Sequence, residues 1–231
     1  MDSSIKKKRA RGRLSREMIE DAAFEVIERE GLSGFSMRKL AAALGCEAMS
    51  IYHHFPSQAH LYEALVDRQV STMAIPDGSM PWRESIRLVM QEFRRIATEH
   101  PAFAPFLVVY RMNSPPCLAM LNGVIGLFEA GGFGPELSAR LFRTASYYLS
   151  GAILDETAGY AKGPSAVTTV SEERLAKDFP SVMRAGAYFG TAGFDKTFEI
   201  GLDMLLDEME RLREGVSASR SSGKGDCKMT V

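Results

Sequence analysis

The sequence is poor in cysteine and has no long apolar run, and each absence excludes a class of protein. Three cysteines occur in 231 residues and none forms a Cys-x-x-Cys pair; they are Cys46, Cys117 and Cys227. An odd number at such wide spacing argues against a disulfide framework and a zinc site. No stretch approaches the roughly 18 apolar residues of a membrane span, and no apolar segment follows the basic start as in a signal peptide. We expect a cytoplasmic protein without a metal.

Recognisable catalytic motifs are absent as well. The sequence contains no glycine-rich phosphate loop, no His-Glu-x-x-His and no Gly-x-Ser-x-Gly, the motifs that carry nucleotide binding and hydrolytic chemistry. His53 and His54 are adjacent, and neighbouring residues of a helix point about 100° apart, so the two rings cannot bind one metal ion together. An enzyme is the competing class of protein, but no spacing supports it. We expect no cofactor.

Charge is balanced overall and uneven along the chain. The formal net charge is −1, so this is not a wholly basic protein. Between Asp2 and Glu17, however, every charged residue is basic: Lys6, Lys7, Lys8, Arg9, Arg11, Arg13 and Arg16. Such an arm is often only a solvated tail, whereas beside a DNA-binding motif it commonly follows phosphates or enters a minor groove.

Residues 14–70 predict three short helices and the start of a fourth. Ser15 and Ser36 precede apolar residues at helical spacing and are N-cap candidates, while Gly31 and Gly45 can adopt the left-handed conformation that ends a helix. A capped helix, a glycine turn and a second short helix form the pattern of a helix-turn-helix, whose second helix can enter the major groove of DNA.

The spacing within this motif also predicts which side chains face the core and which face outward. Ile51 and Phe55 are spaced to anchor the second short helix inward, and Phe35 and Leu40 hold the positions of a hydrophobic staple. The residues left to point outward are Ala48, Met49, Ser50, Tyr52 and His53. Tyr52 has an alternative interpretation as a core tyrosine whose hydroxyl lies near the surface.

Beyond a linker rich in turn-forming residues at 71–81, the chain predicts helices almost throughout and no alternating strand pattern. The predicted helices lie at 82–99, 101–111, 115–130, 135–160, 172–187 and 193–213. The last of them and the helix at 135–160 are apolar on more than one side, so each must be buried on more than one side. The expected fold class is all-α.

The run Leu44-Gly45-(x)5-Ile51-Tyr52-His53-His54-Phe55-Pro56-Ser57 resembles the signature of the TetR family of bacterial transcriptional regulators. Farther along, Trp82, His100-Pro101, Gly132-Phe133 and Phe198-x-x-Gly201-Leu202 are similar to landmarks of its tetracycline-repressor-type C-terminal domain. The resemblance spans roughly residues 14–213 and is weaker after Val70. It implies a three-helix DNA-binding domain followed by a larger helical domain for ligand binding and dimerisation.

The resemblance also implies which residues meet DNA. Ala48, Met49 and Ser50 match positions at base edges, with His53 beside them. Tyr52 and His54 match positions that touch phosphates. Arg38, on the helix before the recognition helix, and Gln58, on the helix after it, match further positions that reach the DNA.

Gln58 departs from the family pattern, which commonly has a lysine there. An amide can donate a hydrogen bond to a phosphate, but it displaces no counterion. The basic arm is a candidate compensation for this loss. Cys46, in the turn, has two interpretations, a redox trigger and a small structural residue.

The implied layout divides the chain into five parts. They are a basic flexible arm at 1–13, the DNA-binding domain at 14–56, a connecting helix and linker at 57–81, the ligand-binding and dimerisation domain at 82–213, and a disordered tail at 214–231. In the family, the helices matching 135–160 and 193–213 pair with their copies in a dimer, for which the candidate residues are Leu141, Leu149, Phe198, Leu202 and Leu205.

Many aromatic and methionine side chains fall in the larger domain. One interpretation is an ordinary core; as a set in this family they favour an inducer pocket, and methionine lets a pocket repack around varied ligands. The candidate ligand-binding residues are Met90, Phe93, Phe103, Phe106, Leu107, Tyr110, Arg111, Met120, Val124, Phe128, Phe142, Tyr147 and Tyr148.

Two positions argue against tetracycline-magnesium as the inducer. Leu107 stands where tetracycline repressors carry a magnesium-binding histidine, and Val89 stands where they carry a drug-contacting asparagine. A planar or aromatic apolar compound is expected instead, with Arg111 either receiving an acidic group on it or lying at the surface.

The predicted function is a repressor that binds a palindromic operator as a homodimer and is released by a small apolar or aromatic inducer. The alternative is a DNA-binding regulator, activator or repressor, without a small-molecule inducer and controlled by a partner.

Overall fold

The computed structural model describes residues 14–110, 112–158 and 170–222, with side chains described to residue 215. Within these ranges the regular structure is helical, without a strand, which confirms the all-α fold class. The helices are α1 (Arg16–Glu30), α2 (Met37–Leu44), α3 (Ala48–Tyr52), α4 (Gln58–Ser71), α5 (Trp82–Glu99), α6 (Ala104–Val109), α7 (Pro115–Ala130), α8 (Pro135–Thr157), α9 (Glu172–Asp178), α10 (Pro180–Ala185) and α11 (Phe194–Ser222).

The chain divides into two compact units, Met1–Leu65 and Val66–Val231, and the boundary falls inside α4. The sequence interpretation instead ended the DNA-binding domain before this helix. In the first unit, α1 packs on α2 and α2 on α3. Its core consists of fully buried apolar side chains that include Ile19, Leu40 and Leu61.

The predicted caps of the first unit are present, with one difference. The hydroxyls of Ser15 and Ser36 accept hydrogen bonds from the N–H groups of Met18 and Lys39, each at 3.2 Å. Gly45 has φ 66° and ψ 33°, the left-handed conformation that only glycine adopts without strain. Gly31 has φ 72° but ψ 161°, so it ends α1 without the expected left-handed turn.

Helices α5, α6, α7 and α8 form the core of the second unit, and α11 packs against α5 and α8. Trp82 meets the edge of Phe133 with ring centroids 4.9 Å apart, and Phe128 is fully buried beside them. These aromatic rings tie the start of α5 to the end of α7.

Several helix ends differ from the sequence prediction. The helix predicted at 172–187 is two helices, because Pro180 lacks the N–H that would continue the ladder after Phe179. Helix α8 ends at Thr157, and residues 159–169 lie outside the described part of the chain.

Helix α11 runs to Ser222 rather than ending at Arg213, so the tail predicted to be disordered from residue 214 begins as helix. The helix continues through Gly215, since an isolated glycine costs a helix only about 1 kcal/mol. Ion pairs at i,i+3, Glu208–Arg211 and Glu210–Arg213, stabilise the preceding turns.

A ladder of ion pairs joins α5 to α11. On α5 the basic residues Arg83, Arg87 and Arg94 recur at helical spacing. Their carboxylate partners on α11 recur with the same period and are Asp195, Glu199, Asp203 and Asp207. The ladder sets the axial register between the two helices.

Gly201 of α11 packs closely against the Tyr148 ring of α8. A Cβ at this position would lie 2.6 Å from Cε2 and Cζ of Tyr148. That ring cannot move away freely, because its hydroxyl donates to the carbonyl oxygen of Phe198 at 2.7 Å.

We expect Gly201→Ala to lower the free energy of unfolding by roughly 2 kcal/mol, the scale of overpacking in a core. Gly126→Ala in α7 is the matched control, because its Cβ would meet nothing within 4 Å. That variant should be neutral or up to about 1 kcal/mol more stable, since alanine is the better helix former. Urea denaturation measures both, and equal stabilities would contradict this packing.

Candidate nucleic-acid interface and ligand cavity

Helix α3 presents the side chains that the sequence assigned to DNA. Ile51 and Phe55 are buried and hold the helix on the first unit. Met49 is 64% exposed, and Tyr52 and His53 are exposed beside it, so Tyr52 is not a core tyrosine. Ala48, Ser50 and His54 are half-buried. The outward face of this short helix therefore combines one flexible apolar side chain with hydroxyl and imidazole groups.

The end of this helix is held by Arg16, whose role the sequence analysis missed because it counted Arg16 with the basic arm. Arg16 begins α1 and donates from Nη1 to the carbonyl oxygen of His54 at 2.9 Å. Its guanidinium also lies 4.2 Å from the centroid of the Phe55 ring, a cation–π contact. Arg16 thus stabilises the last turn of the helix-turn-helix, a role that needs contacts across 38 residues of sequence.

The two basic residues of α2 differ in whether their charged groups are already paired within the protein. Lys39 donates from Nζ to Glu30 at 2.9 Å and to the carbonyl oxygen of Gly34 at 2.8 Å. The hydrogen bonds from Lys39 and Arg29 hold the pKa of the Glu30 carboxyl below its ordinary value. Arg38 is exposed and forms no ion pair within the described residues. It is therefore the side chain of α2 that is free to meet a phosphate.

The side-chain amide of Gln58 already has a hydrogen-bond partner within the protein. Its Nε2 donates to the Tyr62 hydroxyl at 2.8 Å, and burial raises the pKa of that hydroxyl. The Tyr62 ring in turn packs against Phe35 at 5.6 Å. To contact DNA, the Gln58 amide would have to form a further hydrogen bond beside the one to Tyr62, or give that one up.

The Cys46 thiol in the turn is half-buried, and burial raises its pKa. A raised pKa disfavours the reactive thiolate, which supports the structural interpretation of this residue. The six basic residues of the arm up to Arg13, together with Arg111 and Cys227, lie outside the described residues.

The second unit encloses a cavity of about 620 Å³ between α5, α6, α7 and α8. Seven of the predicted ligand-binding residues line it: Met90, Phe93, Tyr110, Met120, Val124, Phe128 and Phe142. A volume of this size accommodates a drug-sized molecule. Because the lining is mostly apolar, the cavity favours an apolar or aromatic body.

Five other predicted residues lie outside the cavity lining, and the structure gives a reason for each. Phe103 and Leu107 are fully buried in the core, and Phe106 packs between Phe103 and Tyr110 with tilted rings whose centroids are 5.3 and 5.4 Å away. Tyr148 stacks on Phe198, and burial raises the pKa of its hydroxyl. Tyr147 is 69% exposed.

Polar lining residues of α8 were missed. Arg143, Ser146 and Ser150 line the cavity on one side, and their i, i+3, i+7 spacing puts them on one helix face. Apolar periodicity does not reveal such a polar stripe, although its helical spacing is visible in the sequence. Other lining residues outside the predicted set are Met73, Ile86, Val89, Val108, Val109, Met112, Leu121, Ala145 and Leu149.

The predicted dimer residues face inward. Leu141, Phe198 and Leu202 are buried within their own unit, Leu149 lines the cavity, and Leu205 is half-buried. Their apolar stripes thus cover the protomer's own core.

The large apolar side chains that stay exposed on the described parts of the same two helices are Tyr147, Ile200 (54% exposed), Met204 (69% exposed) and Leu212. The predicted interface residues are thus mostly covered within one protomer, whereas these other apolar side chains are at its surface.

Comparison with known proteins assigns both units to one family. Residues 19–65 match the family described as bacterial regulatory proteins, tetR family, and residues 75–213 match the tetracyclin repressor-like, C-terminal domain. The chain belongs to the TetR family. The resemblance found in the sequence is confirmed, and the chain is a TetR-family transcriptional regulator.

Individual TetR-family relatives cover most of the chain. The tetracycline repressor protein class A from transposon 1721 of Escherichia coli is 28% identical over 208 residues, 89% of this chain and 94% of the relative. A crystal structure of a possible TetR family transcriptional regulator from Streptomyces coelicolor A3(2) has a TM-score of 0.72 at 24% identity, covering 86% of this chain and 100% of that one. ActR from Streptomyces coelicolor, solved with actinorhodin, has a TM-score of 0.64 at 21% identity, covering 85% and 95%. These structures share the fold.

Within the described residues of this TetR-family chain, no helix is by itself long and apolar enough to cross a membrane. Helices α7 and α8 meet the length and composition of a span only when counted together, and the chain bends by 119° between them.

Proposed function

We propose that this regulator is a repressor that binds a palindromic operator as a homodimer and leaves it when a small apolar or aromatic inducer enters the second unit. The observation that carries the proposal is the largely apolar cavity of about 620 Å³ in a chain that also presents a helix-turn-helix. Two TetR relatives point the same way, since one is named a tetracycline repressor and one was solved with actinorhodin.

The exposed face of α3 supports sequence-specific DNA binding. Met49 is one of the most exposed large apolar residues of the described chain, and Ala48 and Ser50 flank it with small side chains. Such a surface fits base edges, whereas Tyr52, His54 and Arg38 offer the hydroxyl, imidazole and guanidinium groups that bind phosphates. Base contacts specify a sequence and phosphate contacts position the protein.

Tyr52→Phe should weaken operator binding by roughly 1 kcal/mol, the scale of one hydrogen bond, and should do so equally on all sequences. Substitutions at Met49 should instead change which base pairs are preferred. Selection of bound fragments from random DNA by each variant, followed by titration, separates the two effects. An operator preference that survives replacement of Ala48, Met49 and Ser50 together would contradict the assignment of α3.

Inducer action requires differential binding. A ligand lowers operator affinity only to the extent that it binds the conformation unable to bind the operator more tightly than the other one. This difference in binding free energy is typically about 1–3 kcal/mol. The C-terminal half of α4 is held by the cavity helices. Asp67 accepts a hydrogen bond from the Ser114 hydroxyl at the start of α7, and Gln69 donates to the carbonyl oxygen of Ile96 on α5 at 3.3 Å.

Met73, just after α4, lines the cavity itself. Since α4 is one continuous helix from Gln58 to Ser71, a shift of α5 or α7 around a ligand has a direct mechanical route to the segment that follows the recognition helix.

Val124→Trp should abolish the response to an inducer while preserving operator binding, because the indole fills the cavity that the small valine borders. Gel-shift titration across planar aromatic compounds provides the inducer, and thermal shift on the same panel reports binding to the native state. Phe128→Ala should alter the response as a second variant. An inducer to which both variants responded unchanged would mean that the ligand binds elsewhere, and a panel with no binder would favour control by a partner protein.

A further inference from the structure

We propose that this cavity selects aromatic compounds carrying one anionic group, such as a carboxylate or phenolate, and that Arg143 receives that group. The inference rests on the proposed function, because it concerns the chemistry of the same inducer cavity. It differs from the sequence-based expectation, in which Arg111 either received an acidic group of the ligand or lay at the surface.

The charge of the cavity lining is the first observation. Arg143 is the one charged residue among the described residues that line the cavity, and no Asp, Glu, His or Lys accompanies it there. A cationic ligand would therefore find no counter-charge in this lining. A metal chelate would find no carboxylate or imidazole to complete its coordination.

The second observation is that Arg143 is free to bind an anion. Within the described part of the chain its guanidinium has no carboxylate partner, and its recorded contact is the Tyr147 ring, 6.0 Å from the ring centroid. Arg140, one turn earlier on α8, is paired with Glu136 at 2.9 Å and does not line the cavity. The planar guanidinium of Arg143 can thus offer two parallel N–H groups to a carboxylate.

The third observation is the arrangement of the polar groups. Arg143, Ser146 and Ser150 follow one another along a single face of α8, whereas the walls from α5 and α7 carry only apolar lining residues. The Ser146 hydroxyl donates to the carbonyl oxygen of Phe142 at 2.8 Å. A ligand with a flat apolar body and a single polar edge matches this division, with the polar edge toward α8.

Three probes of one size test the proposal: 2-naphthoate, 2-naphthamide and the 2-naphthylmethylammonium ion. Calorimetric titration of the full-length protein should give a Kd about tenfold lower for the acid than for the amide, the scale of one charge-assisted hydrogen bond. The ammonium ion should bind more weakly still. Because Arg143 is exposed at the cavity edge, the ratio between acid and amide should fall as ionic strength rises.

Arg143→Met should remove the preference for the acid and leave binding of the amide nearly unchanged. Arg143→Glu should reverse the order in favour of the ammonium ion. Arg140→Met is the matched control and should keep the wild-type order. Circular dichroism checks that each variant is folded.

Equal Kd values for acid and amide in the wild type, a preference that survives Arg143→Met, or no binding of the acid at millimolar concentration would overturn the inference. Gel shifts with the same probes test the proposed function separately. If acid and amide release the operator equally, the repressor function stands and the anion preference fails. If the acid binds through Arg143 but never releases DNA, the anion preference stands and the repressor function fails.

Discussion

Lysine at both Ile200 and Met204 is expected to turn the protein into a folded monomer with at least about 100-fold weaker operator binding. Both side chains are more than half exposed, so they contribute little to the core of their own unit. They lie four residues apart on one face of α11, a helix that packs against α8. We propose that these exposed apolar side chains belong to the dimer interface, since apolar surface that a protomer leaves uncovered is typical of interaction sites. Two ammonium groups at this interface would have to be desolvated without partners in a dimer.

The loss of affinity follows from symmetry. A two-fold dimer matches two half-sites of a palindrome, and the second recognition helix binds at the high effective concentration set by the first. A monomer keeps one half-site only. Analytical ultracentrifugation of the free protein and gel shifts on the selected operator measure both consequences.

Two controls make this test specific. Leu118→Lys replaces an exposed apolar residue on α7 and should leave both the dimer and the operator affinity intact. Leu202→Lys, two residues after Ile200 but fully buried, should give unfolded or insoluble protein instead of a monomer. A double variant that sediments as a dimer, or a wild type that is monomeric at micromolar concentration, would refute this interface.

The second large effect is a loss of folding stability, expected when Arg94 is replaced. Among the arginines of the ladder between α5 and α11, Arg94 is the most buried. Its side chain is 16% exposed and its partner Glu156 on α8 is 9% exposed, with Nε and a carboxylate oxygen 2.8 Å apart. The guanidinium also lies 4.6 Å from the centroid of the Phe198 ring. Arg94 thus joins three helices at one point, since it also bonds Asp195 on α11 at 2.9 Å.

Arg94→Met should lower the free energy of unfolding by about 3 kcal/mol, because it leaves the Glu156 carboxylate buried and unpaired. Adding Glu156→Leu should restore most of that loss, since an apolar pair of similar volume needs no desolvation of charge. The bond to Asp195 contributes little, because that carboxylate is almost fully exposed. Urea denaturation of the two single variants and the double variant gives the coupling free energy.

Arg140→Met is the matched surface control for this measurement. Its pair with Glu136 is largely exposed on both sides, and such pairs contribute about 0–1 kcal/mol. A loss after Arg94→Met no larger than that of the Arg140 variant would mean that the Arg94 cluster does not hold the helices together.

The helix-turn-helix could be predicted from the sequence because its signals are local. Ser15 and Ser36 cap their helices, Gly45 ends α2 in the left-handed conformation, and Ile51 and Phe55 point inward, all as expected. Each of these outcomes depends on a few neighbouring residues and on the helical period. The all-α class and the bounds of α5 and α7 follow from the same periodicity.

Only the tertiary structure decided which apolar residues face which neighbour. A helix with apolar residues on several sides, such as α8 or α11, has no local feature that distinguishes the protomer core, the cavity and the exposed surface. Leu202, expected at a dimer surface, is therefore buried in its own unit while Ile200 is exposed, and Phe103 and Leu107 lie in the core instead of the cavity.

Local sequence patterns could not predict which residues far apart in sequence contact each other either. Arg16 meets His54, and Arg94 meets Glu156 across 62 residues of sequence, because helix packing brings their elements together. The sequence by itself determined the elements and the kind of surface that each carries. The rotation of each helix about its axis, which sets the contacts, was determined by packing against the rest of the chain.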